Sequence, residues 1–140
     1  MQQMIFVNLP VSDLERSKGF YMALGFTINP QFSDDTAACV VISDTIFLMI
    51  LTQPKFDGFL TKPRADTTKT TSALIALNRE SRADVDAMTD AAVNAGGTEP
   101  KPPTDHGFMY TRTFQDPDGN VFEPFWMDPT VAGKSVGGLR

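Results

Sequence analysis

Along the chain, apolar and polar positions run through the same succession of patterns twice. Met4 to Pro10 is an apolar run interrupted by Asn8 and reads as a strand. Ser12 or Asp13 then offers a side-chain oxygen to cap a helix, and Ser12 with Glu15 has capping-box spacing. Leu14, Tyr21 and Leu24, with Ser17 between them, keep helical spacing, and Gly25 stands where a left-handed residue ends a helix, so a helix is expected over about 13–24. Residues 26–32, 36–42 and 45–51 follow as three short strands separated by Ser33-Asp34-Asp35 and Ser43-Asp44. The first half therefore reads βαβββ.

The second half repeats the order, with the segment from Met4 to Leu14 echoed by Ser72 to Arg82. A strand over 73–78 leads to Ser81 as N-cap, and Val85, Met88, Ala92 and Ala95 form one apolar helical stripe that ends at Gly96-Gly97. Three strands are expected at about 98–101, 108–115 and 120–127, the last two joined by a turn at Pro117-Asp118. Between the halves, residues 52–71 carry Pro54, Gly58, Pro63 and the basic residues Lys55, Lys62, Arg64 and Lys69 without clear periodicity. A functional loop or lid and a plain linker both fit that stretch. A single domain over 1–140 is expected, with module one about 4–51, the loop 52–71, module two about 72–128 and a frayed, Gly-rich tail over 129–140.

Composition narrows the function classes. The 41% hydrophobic and 21% charged content is that of an ordinary globular protein. A net charge of -5 argues against nucleic acid as partner, and no apolar run reaches the roughly 20 residues of a membrane span. A cytoplasmic protein is expected. Cys39, the single cysteine, lies in the apolar run 37–42 with no basic neighbour in sequence, which suits a buried thiol in a reduced compartment.

The segments Leu9-Pro10-Val11-Ser12-Asp13-Leu14-Glu15-Arg16-Ser17, Phe20-Tyr21, Leu24-Gly25-Phe26 and Phe114-Gln115-Asp116-Pro117-Asp118-Gly119-Asn120-Val121-Phe122-Glu123 together resemble the vicinal oxygen chelate superfamily of glyoxalases, bleomycin-resistance proteins and extradiol dioxygenases. The resemblance implies an α+β fold in which two βαβββ modules make curved sheets around a cavity, and it implies a homodimer. In metal-using members the ligands come from the first and last strands of each module. Carried onto this chain, those positions are Phe6, approximately Leu48, Leu74 and Glu123, of which only Glu123 is able to bind a metal. A family metal centre and a cofactor are therefore not expected.

The remaining polar candidates are few. His106, the sole histidine, sits at the entry to a strand beside Asp105 and is read either as a surface residue or as a substrate contact at the cavity mouth. If the turn is centred on Pro117-Asp118, Arg112 faces Glu123 across the hairpin, and Tyr110, Arg112 and Phe114 share a face with Val121, Glu123 and Phe125. That pair is read either as a buried ion pair or as a contact to a polar ligand. With Phe6 facing inward, alternation places Asn8 beside it. The expected function is a glyoxalase-like protein binding a small organic molecule in an apolar cavity lined by Phe6, Asn8, Leu48, Leu74, His106, Tyr110, Arg112 and Glu123. The open alternative is a divalent-metal lyase of glyoxalase type, or a dioxygenase, built on Glu123 and non-standard ligands such as His106.

Overall fold

The computed structural model describes residues 1–132. Both expected βαβββ rounds are present, in an α+β fold of two curved, unclosed sheets. In the first, β1 (Ile5–Val11), α1 (Leu14–Ala23), β2 (Thr27–Asn29), β3 (Ala37–Val41) and β4 (Ile46–Thr52) give a sheet of order β1-β4-β3-β2. In the second, β5 (Leu74–Asn78), α3 (Arg82–Asn94), β6 (Thr104–Asp105), β7 (Met109–Thr111), β8 (Phe114–Gln115) and β9 (Val121–Met127) give the order β5-β9-β7-β6, with β8 also on β9. Each module thus pairs its first strand in parallel with its last. A short α2 (Gln53–Asp57) opens the loop between them, and α4 (Pro129–Ala132) follows β9. The expected tail thus begins as a helical turn, and its remainder, 133–140, lies outside the described residues.

The helix ends follow local chemistry. Asp13 is the cap of α1, its carboxylate accepting from Arg16 N at 3.1 Å. Ser12 is used otherwise: its hydroxyl accepts from the Arg16 guanidinium and its N–H donates to Asp118, so no Ser12–Glu15 capping box forms. Ser81 caps α3, and Gly25 and Gly96 take positive φ after the two helices. Pro30 ends β2 early by starting a 3-10 turn capped by Asn29.

Both sheets turn one face toward the helices. Leu9, Val11, Phe20, Tyr21, Val40, Leu48, Ile50, Met88, Phe114 and Phe122 form one buried cluster drawn from both halves. Ring contacts carry it across: Phe20 lies 6.2 Å from Phe114, and Tyr21 lies 5.8 Å from Phe122.

Two sequence expectations in the second module are corrected. The strand expected at 98–101 is reduced to an isolated bridge between Thr98 and Gln115, and β6 forms later, because Pro100, Pro102 and Pro103 have no N–H to give a ladder. The strand expected over 108–115 is split into β7 and β8. Arg112 N donates to Pro124 O at 3.2 Å, but Pro124 cannot return the bond. The hairpin register also differs by one residue from that expected, since Gln115 pairs with Val121 and Phe114 with Phe122. Gly119 at φ +87 adds a left-handed third residue to the loop, and Asp116 N closes it on Asn120 O. The assumed turn centre on Pro117-Asp118 omitted that residue.

Candidate functional site

Strand alternation decides which side chains the helices cover and which face away. On β1, Val7 and Leu9 pack toward the core, so Phe6 and Asn8 stand on the opposite face. Phe6 pairs with Phe47 on β4, and their rings stack with centroids 4.7 Å apart. Leu48 is corrected: it is buried in the core with 1% exposure, because it alternates with Phe47 and Met49, which are the open-face residues of β4. On β9, Phe122 and Pro124 are buried, so Glu123 between them faces away from the helices, beside Ala76 of β5. Asn8 pairs with Met49 as Ala76 pairs with Glu123, so the repeat sets Met49, not Leu48, opposite Glu123. Phe6 and Leu74 are 47% and 61% exposed, which leaves the two open faces uncovered in the single chain.

The expected Arg112–Glu123 pair does not form. The one-residue difference in register puts Tyr110 and Arg112 on the helix side, where the Arg112 guanidinium meets Glu99 at 2.8 Å, Asp86 at 2.9 Å and Asp90 at 3.2 Å. Tyr110 donates its hydroxyl to Asp86 at 2.7 Å. The hydrogen bond from Arg112 holds the Glu99 carboxyl below its ordinary range, and those from Tyr110 and then Arg112 do the same for Asp86. Glu123 pairs through its backbone with Ala76, but among the described residues its carboxylate has no hydrogen-bond or ion-pair partner.

His106 lies at the tip of the β6–β7 hairpin, exposed, with its ring 6.1 Å from that of Phe108. Asp105 does not orient it. That carboxylate is bound by both ends of the Arg82 guanidinium, at 2.8 and 3.0 Å, and by Gly107 N, which together bring it down to about 2. His106 lies level with Met127 through Met109, so two strand spacings and four residues along β9 set it roughly 17 Å from Glu123. The shifted metal set of His106 with Glu123 is therefore not assembled. Phe6, Met49 and Leu74 offer no oxygen or nitrogen donor, so the residues at the family's ligand positions do not fit a divalent ion. Among the described residues, no group of three His, Cys, Asp or Glu side chains is placed to hold one.

A concavity lies elsewhere on the first module. It is about 580 Å³ and is lined by Asn8 from β1 and by Phe56, Phe59 and Leu60 from α2 and the loop that follows. The same loop residues continue into a second hollow with Lys62 and Arg64. Arg64 is held by Asp57, its Nε at 2.8 Å from the carboxylate. The far end of the loop is fixed on the second module: Thr67 donates its hydroxyl to Asp118 O at 2.6 Å, and Thr67 O packs so close to Gly119 that a Cβ there would collide with it. Asn8 was legible in the sequence as a cavity candidate, whereas Leu60 and Thr67 carried no local signal.

A family model described as bleomycin resistance protein-like N-terminal matches residues 3–43. A glyoxalase/bleomycin resistance protein from Albidiferax ferrireducens T118 is 25% identical, with a TM-score of 0.64 over 86% of this chain and 95% of that one. In fold, and in sequence pattern over residues 3–43, the chain is similar to the vicinal oxygen chelate superfamily. Two further solved structures share the superfamily member's fold. A hypothetical protein from S. aureus is 28% identical, with a TM-score of 0.76 over 90% of this chain and 94% of that chain. A glyoxalase/bleomycin resistance protein/dioxygenase family enzyme from Burkholderia phytofirmans PsJN is 17% identical, with a TM-score of 0.74 over 90% of this chain and 99% of that chain. No curated protein matches in sequence. Among the described residues, no helix is long and apolar enough to cross a membrane.

Proposed function

We propose that this chain folds as one domain of the vicinal oxygen chelate superfamily and is a cytoplasmic binder of a small organic molecule, working without the superfamily's metal centre. The observation that carries the reading is the concavity between Asn8 and the loop residues Phe56, Phe59 and Leu60, an apolar surface with one amide to orient a ligand. Its volume falls in the range of small-molecule sites, roughly 300–1,000 Å³. The donor chemistry at Phe6, Met49, Leu74 and Glu123 supports the metal-free part of the reading. The buried thiol of Cys39, pushed up by desolvation, suits a reduced compartment.

Fluorescence titration with phenylnaphthylamine, an uncharged apolar dye, tests the site. The expected result is a saturable signal that weakens about tenfold or more in Phe59→Asp, since burying a phenyl ring is worth about 1.5–3 kcal/mol. A flat titration, or one that Phe59→Asp leaves unchanged, contradicts the proposal.

We also propose a homodimer. Exposed Phe6 and Leu74, with Phe47 stacked on Phe6, leave an apolar surface on the open side of the sheets that a second copy would cover.

A further inference from the structure

The loop that lines the concavity differs in charge from the rest of the protein. Residues 52–71 carry Lys55, Lys62, Arg64 and Lys69 against Asp57 and Asp66, a net of +2 in a chain whose net charge is -5. The cations are not equally engaged. Arg64 is tied to Asp57 through Nε at 2.8 Å and Nη2 at 3.4 Å, and it also feels Asp66. Lys69 interacts electrostatically with Asp66, and Lys55 with Asp34, while the Lys55 ammonium sits 5.6 Å from the Phe59 ring centroid. Lys62 has no acidic partner among the described residues, and it lines the hollow that Phe56, Phe59 and Leu60 share with Arg64.

The surface of this site is therefore graded. One end has the Asn8 amide and two phenyl rings, Phe56 and Phe59; the other has an uncompensated ammonium and an arginine whose Nη1 is not used by Asp57. Flat aromatic groups suit the rings, because offset or edge contacts between aromatic faces add to simple burial. An anionic substituent suits the cationic end, because Asp57, which lines the adjoining hollow, is engaged by Arg64 and leaves Lys62 without an ion pair among the described residues, while the surrounding apolar rings weaken solvent screening. We propose that the ligand of this site is an aromatic anion, a ring system bearing a carboxylate, sulfonate or comparable acid, with its ring against Phe56 and Phe59 and its charge toward Lys62 and Arg64. This rests on the small-molecule reading of the same concavity, and it adds the class of molecule.

Two dyes that share one ring system separate the two claims. Anilinonaphthalene sulfonate carries the anion, and phenylnaphthylamine is its uncharged counterpart. At low ionic strength the sulfonate is expected to bind about fivefold tighter than the neutral dye, and the preference should collapse in about 0.5 M salt, where the screening length shrinks to a few ångströms. Lys62→Gln should weaken sulfonate binding about threefold and leave the neutral dye unchanged, a size typical of one exposed charge contact. Phe59→Asp should weaken both. Equal affinities for the two dyes, or a preference that survives both high salt and Lys62→Gln, overturns the aromatic-anion assignment while the apolar site stands. Binding of neither dye overturns both.

Discussion

Tyr21 on α1 donates its hydroxyl to Asp116 Oδ2 at 2.7 Å, joining groups 95 residues apart and buried in both modules. Asp116 accepts three more hydrogen bonds, from the N–H groups of Asp118 and Asn120 and from the Asn120 side chain, whose amide also reaches Pro10 O. Burial pushes the Asp116 carboxyl up, against the pull of these donors. The Asp-Pro-Asp-Gly-Asn segment is thus a structural rivet: its turn is fastened to the β1–α1 junction by Tyr21, Ser12 and Pro10. Tyr21→Phe removes one donor from a buried carboxylate. A loss of about 1–3 kcal/mol in denaturant unfolding is expected, with the far-UV spectrum retained.

The loop over the site is held by the same turn. Gly119 needs its positive φ, and Thr67 O occupies the space a side chain would take. Gly119→Ala should therefore cost about 1–3 kcal/mol. It should also detach the loop, so limited proteolysis is expected to cut within residues 52–71 in the variant at protease levels that spare the wild type.

Arg112 gives the fold a defined acid dependence. Glu99 and Asp86 are depressed from 4.5 and 3.8, respectively. A group with a depressed folded pKa contributes stability that is present above its unfolded pKa and lost as pH falls through the folded one. Wild-type stability should therefore decline as pH drops below about 4.5. In Arg112→Met that part of the slope should flatten, with a loss of about 1–2 kcal/mol at pH 7 once solvent screening of the half-exposed Asp86 and exposed Asp90 is allowed for. Urea midpoints measured from pH 7 to pH 3 check both.

These contacts mark what the sequence discloses and what it conceals. The two βαβββ rounds were legible because Leu14, Tyr21 and Leu24, and again Val85, Met88 and Ala92, repeat at helical spacing between capping residues and glycines. The faces of β7 and β9 were not, because register depends on one residue of turn length, and Gly119 supplied it. That single step sends Arg112 to Asp86 and Glu99 instead of Glu123, and alternation from a neighbouring starting point sends Leu48 into the core. The loop's approach to Asn8 depends on contacts between distant segments, Thr67 with Asp118 above all, for which no periodicity exists.

The dimer proposal has a direct check. Light scattering on a size-exclusion column should give twice the monomer mass for the wild type. Leu74→Asp places a charge on the exposed apolar face and is expected to shift the protein to monomer with unchanged helix content. A wild type that elutes as monomer at high micromolar concentration contradicts it.

Small-molecule binding without the superfamily's metal centre is tested most directly by titrating phenylnaphthylamine into protein dialysed against a chelator, then into the same protein supplemented with Zn, Ni, Mn or Fe. The predicted result is one dissociation constant in every sample, unchanged by Glu123→Ala. An affinity that vanishes with the chelator, returns with one metal and is lost again in Glu123→Ala would contradict the account.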